Sequence, residues 1–135
     1  LAYTLRKTSW FSFAYWYDIS EFMTTRSYGS KKFGKRWQGI LDRLESGSEN
    51  EYKLAITEAD AMLEEALVKL DFKGETIAER LENTAPTILP NREDLMGANR
   101  IRNQVVHDPN FRLARDEAVR ALDIYQEAFL SLDMI

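Results

Sequence analysis

SENEYKLAITEADAMLEEALVKLDFKG, residues 48–74, is the stretch whose periodicity decides the fold. Ala55, Ala59, Met62, Leu63, Ala66, Leu67 and Leu70 recur at intervals of three and four, the spacing of one buried helical face. Ser48-Glu49-Asn50-Glu51 reads as a capping box, in which the Ser48 oxygen accepts the third helical N–H and Glu51 reaches back. Lys73-Gly74 reads as the stop, so the expected helix spans 48–72. Glu58, Asp60, Glu64 and Glu65 read as its solvated carboxylates.

The same period returns on both sides, and alternation of period two never persists, so no strand is expected. Thr76-Ile77-Ala78-Glu79 is a second capping box, opening a short helix to about Asn83, and Pro86 and Pro90 bound a loop. Asn91, with Glu93 and Asp94 in the first turn, caps a helix over 92–107 that closes at Asp108-Pro109. Ala118, Leu122, Tyr125, Phe129 and Leu132 mark a last helix over 115–133, although Ala114 is a poor N-cap. Upstream, Phe33, Trp37, Ile40, Leu41 and Leu44 predict a helix over 31–46, broken by Ser46-Gly47. Residues 9–26 read as an aromatic helix that ends before Ser27-Tyr28-Gly29-Ser30. Helices joined by short loops imply an all-α antiparallel bundle over 31–135, preceded by an arm at 1–30.

Charge and aromatics divide at the same place. Residues 1–36 hold seven basic side chains against Asp18 and Glu21, a net +5, whereas residues 37–135 hold 11 basic and 20 acidic ones, a net −9. Eleven of the sixteen aromatics lie in residues 1–37. Three readings fit this basic, aromatic arm: a strip on the membrane–water boundary, a packing strip against the acidic body, or a nucleic-acid contact. No apolar run reaches the roughly 20 residues that span a bilayer. The chain starts at Leu1, and a transmembrane segment upstream of it, flanked by Arg6 and Lys7, would place the body on the cytoplasmic face.

The chemistry is limited by what is missing. With 135 residues there is room for one domain. Without cysteine there is no disulfide and no thiolate metal site, and one histidine argues against a conventional zinc site. Gly29 and Gly34 flank Lys31-Lys32 without the spacing of a phosphate loop. What remains is carboxylates, guanidinium groups, hydroxyls and the one imidazole, His107, which can exchange a proton near neutral pH.

Arg102-Asn103-Gln104-Val105-Val106-His107 resembles the R-x4-6-H motif of the HEPN family of small all-α domains, in which Asn commonly follows the Arg. The resemblance covers about residues 48–133. It implies a helical bundle that dimerises through the motif helix, two motifs forming one site, and a metal-independent endoribonuclease without a cofactor. By that resemblance His107 moves the proton, Arg102 holds the scissile phosphate, and Asn103 orients the imidazole or donates to a phosphate oxygen. Arg100 and Arg112 stand near the motif as candidate substrate-binding residues, with Arg92 and Arg115 as further members of a positive cleft. On a wheel, Ile101, Val105, Ala98, Leu95 and Val106 form one apolar arc containing Arg102, and His107 lies about 140° from Arg102. The two converge only if the last turn loosens or a second subunit brings another copy.

A structural reading stands beside the catalytic one. A histidine at a helix C-terminus suits the helix dipole, and an arginine in an apolar stripe is often a buried ion pair, for which Asp60, beside the stripe of the long helix, is a reasonable partner. The corresponding function is a non-catalytic homodimeric module tethered to the cytoplasmic face of a membrane. A regulator that binds a nucleotide or a partner protein is the third class.

Overall fold

Five α-helices carry the chain through residues 28–135, the part described by the computed structural model: α1 (Tyr28–Glu45), α2 (Glu49–Lys69), α3 (Ile77–Glu82), α4 (Arg92–His107) and α5 (Arg115–Ser131). No strand occurs among the described residues. The expected aromatic helix over 9–26 lies outside them.

Side-chain contacts give the directions. Arg43, late in α1, pairs with Glu51 and Glu58, early in α2, and Arg36 pairs with Glu65, so these two helices are antiparallel. Trp37 donates its indole N–H to Gln126 at 3.1 Å, while Glu45 meets Arg115 at 3.8 Å, so α1 and α5 are antiparallel too. Glu49 holds the segment leading into α5, and Asp60 meets Tyr125 further along, so α2 and α5 run the same way. Asn99 meets Asp60, and Val105 and Val106 line a groove with Asn50, Lys53 and Leu54, which sets α4 against α2. The α2–α5 pair is the spine of the bundle. Both α1 and α4 pack on both spine helices and not on each other.

Ala55, Ala59 and Ala66 of α2 are fully buried, as are the large side chains Trp37, Leu63, Tyr125 and Phe129. Each large side chain removed from water contributes roughly 1.5–3 kcal/mol. Phe129 meets both Phe33 and Trp37 edge-on with centroids 5.2 Å apart, tying α5 to α1.

The helix ends depart from the expectations in instructive ways. Tyr28–Ser30, read as a break, already belong to α1. α2 stops at Lys69, because Asp71 takes the left-handed conformation at φ 65°. The Phe72 N–H then reaches the Leu67 carbonyl and the Asp71 N–H that of Val68, both at 3.0 Å, so Asp71, rather than Lys73-Gly74, supplies the stop. Leu70, expected in the buried stripe, is left exposed beyond the helix. Asp133, at φ 57°, closes α5 in the same manner two residues early. Ser48 makes no side-chain cap, and Glu51, expected to reach back to it, pairs instead with Arg43 at 2.8 Å. Asn91 likewise spends its amide on the Ile124 carbonyl at 3.0 Å instead of capping α4. Thr76 does cap α3, accepting the Glu79 N–H at 3.1 Å. The poor cap at Ala114 is relieved by Glu117, which accepts the Ala114 N–H at 3.3 Å.

Gly74 has a different task, holding φ at 148° where a Cβ would stand 2.8 Å from the Arg80 backbone nitrogen. Gly74→Ala is therefore expected to cost about 2–3 kcal/mol in urea denaturation, from a disfavoured backbone and displacement of α3. A change below about 0.5 kcal/mol would show that this approach is not tight.

Candidate functional site

Helix α4 turns Leu95, Ala98 and Asn99 inward. A buried asparagine is explained by what faces it. Asp60 of α2 is only 2% exposed, and Asn99 donates its amide to both carboxylate oxygens at 3.1 Å. The Tyr125 hydroxyl of α5 donates to Oδ1 at 2.7 Å, and Arg102 Nε lies 3.6 Å from Oδ2. One carboxylate thus gathers side chains from α4 and α5 onto α2.

Burial pushes the Asp60 carboxyl above its ordinary range, against the Tyr125 and Asn99 hydrogen bonds and the Arg102 charge, which favour the anion. Burial, reinforced by the Asp60 charge, raises the Tyr125 phenol well above its ordinary value and keeps it a donor. The ion pair expected between Arg102 and Asp60 is therefore present, with two further partners that the periodicity did not single out. Asn99 was legible as a polar residue on the inner arc, three residues before Arg102. Tyr125 was hidden among the apolar positions of its helix.

Arg102 has two edges in different surroundings. Its Nε is buried toward Asp60 without a hydrogen bond, whereas Nη1 donates to Asn103 Oδ1 at 3.1 Å and the side chain is 33% exposed. That contact turns the Asn103 amide nitrogen away from the guanidinium as a second donor. His107 is exposed at the last position of α4. The Asp108 N–H still donates to the Gln104 carbonyl at 2.9 Å, so the final turn stays regular and the loosening that would bring His107 to Arg102 does not occur. The structure joins Arg102 to Asn103 and leaves His107 on another face.

The neighbouring arginines do not gather. Arg100 is exposed on the outer side of α4. Arg112 donates to Glu49 at 3.1 Å, and the Leu113 N–H reaches the same carboxylate at 2.8 Å. The Leu113 N–H foremost, and then the Arg112 charge, hold Glu49 below the usual carboxylate range. Arg115 meets Glu45, and Arg92, at the opposite end of α4, donates to the Glu82 and Thr84 carbonyls. Val106, expected in the buried arc, is 47% exposed in the last turn of α4. With Leu54 and Val105 it lines a groove of about 390 Å³ between α2 and α4.

Among the described residues no three histidine, aspartate or glutamate side chains cluster to hold a metal ion, and no helix is long and apolar enough to cross a membrane. The chain matches no family model, no curated protein and no solved structure.

Asp60→Ala leaves the Arg102 charge, the Tyr125 hydroxyl and the Asn99 amide without their acceptor, so a loss of about 3–5 kcal/mol is expected in urea denaturation. The pH dependence has a definite sign. A carboxyl whose pKa is raised in the folded state binds its proton more tightly there than in the unfolded chain. Relative to Asp60→Asn, the wild type should lose stability as pH rises through the window just above the ordinary carboxylate range. Parallel pH curves for the two proteins would contradict this.

Proposed function

We propose that this chain is a HEPN-like domain that acts as a homodimer through α4, its paired motifs forming a metal-independent endoribonuclease site. The observation that carries this reading is the divided guanidinium of Arg102: its inner edge faces the Asp60 carboxylate at 3.6 Å, and its outer edge lies beside Asn103 at the surface. Preorganised donors of this kind are worth most where charge develops in a transition state, at about 10²–10³-fold per donor. Arg102 and His107 occupy different faces of a regular helix, so a site that uses both draws them from two copies. The flank position of α4 suits that role, since α1 does not cover it.

In this mechanism the ribose 2′-hydroxyl attacks the adjoining phosphorus, the 5′-oxygen leaves, and a cyclic phosphate remains. His107 takes the proton from the 2′-hydroxyl or returns one to the leaving oxygen, while Arg102 and Asn103 donate to the non-bridging oxygens. The net −9 of residues 37–135 makes RNA affinity modest and dependent on local cations such as Arg100.

A second reading is favoured by one observation, that the Arg102 charge is already met by Asp60. The motif then serves a non-catalytic dimer interface, in a protein held at the cytoplasmic face of a membrane through residues 1–36 or a segment upstream of Leu1.

Labelled single-stranded RNA in excess EDTA separates the two. The nuclease reading expects cleavage to cyclic-phosphate ends, a loss of about 10²-fold or more in His107→Ala, and a dimer by light scattering in both proteins. No cleavage by the wild type, together with a dimer weakened by Arg102→Ala and flotation of the whole protein with anionic liposomes, supports the tethered module.

A further inference from the structure

We infer that Asp60, Asn99 and Tyr125 are positioning residues that set the angle at which Arg102 offers its outer edge to a phosphate oxyanion, an inference that rests on the phosphate-handling role proposed for the motif. A carboxylate has about four acceptor sites. Tyr125 occupies one on Oδ1, and the Asn99 amide bridges both oxygens, which leaves the far side of Oδ2 to face Arg102 Nε at 3.6 Å. Asn99 precedes Arg102 by three residues and Asn103 by four, so all three project from one side of α4. The result is a continuous polar chain from the core to the surface: Tyr125 to Asp60, Asp60 to Arg102, Arg102 to Asn103.

Stability alone does not call for this arrangement. A well-packed apolar set of similar volume generally serves a helical core as well as a buried ion pair, or better. An arginine on a flexible stem, however, loses much of its value to a ligand unless its fork is held in advance. Asp60 faces only the inner edge, and on the outer edge one Nη1 donor is engaged by Asn103, which leaves the remaining outer donors for a ligand.

The test uses the full chain with 15N-labelled arginine, following the Nε–H signal of Arg102, assigned by its loss in Arg102→Lys. Inorganic phosphate is titrated into the wild type, Tyr125→Phe and Asn99→Ala, each below its own melting temperature. Tyr125→Phe removes one hydroxyl and keeps the ring. The Arg102 signal is expected to move with phosphate in the wild type, and the apparent affinity to fall about threefold or more in Tyr125→Phe. Should that variant not fold, Asn99→Ala gives the same reading. No response of Arg102 in the wild type, or equal affinities in wild type and variants, would overturn the inference. RNA cleavage is measured on the same samples. Absent cleavage with the phosphate pattern intact removes the nuclease and keeps the positioning role. Cleavage with unaltered kcat and phosphate affinity in Tyr125→Phe removes the positioning role alone.

Discussion

Withdrawing a carboxylate from water between helices is costly unless its lone pairs are met, and the middle of this bundle is organised around meeting those of Asp60. The partners come from separate parts of the chain: Asn99 and Arg102 from α4, Tyr125 from α5. None of them satisfies the carboxylate by itself, so the cluster forms only when all three helices are docked. Apolar burial supplies most of the stabilisation, but it is indifferent to small slips of one helix along another. The Asp60 cluster is not indifferent, because a slip of one residue along α4 would take Asn99 away from the acceptor.

The rest of the packing agrees with that register. Alanines at 55, 59 and 66 are fully buried on the same helix as Asp60, whose carboxylate lies 2.7 Å from the Tyr125 hydroxyl of α5. Glu49 fixes the entry of α5 from the other end, through the Leu113 N–H and the Arg112 guanidinium. The two parallel spine helices would repel through their aligned dipoles, but α1 and α4 run the opposite way on either side and offset this. Directional polar contacts and helix direction thus constrain the same geometry from different distances.

Much of this was legible in the residues, and the parts that were not have physical causes. Helical periods, the loop between Pro86 and Pro90, and the bounds of α4 follow from local rules, and the structure follows them. The pairing of Arg102 with Asp60 was readable as one alternative, since a cation in an apolar stripe needs an anion on the facing helix, but the reading of Asp60 as a solvated carboxylate beside Glu58 is overturned by its burial. Caps were less legible because they compete with tertiary partners. Glu51 went to Arg43 and Asn91 to Ile124, and neither alternative is visible within a short window. The left-handed ends at Asp71 and Asp133 were missed because aspartate signals such a position more weakly than glycine. Tyr125 was read as apolar because its ring is. The reach of its hydroxyl depends on which helix lies opposite.

The lack of contact between α1 and α4 bears on how this fold can diversify. Substitutions on the outer surface of α1 alter neither the geometry around Arg102 nor the groove beside Val106, so the two flanks are free to drift under separate pressures. Any influence of one flank on the other must pass through the spine, and Tyr125 and Asp60 lie on that route. A bundle arranged this way can exchange what it presents on one side while the opposite side goes unaltered.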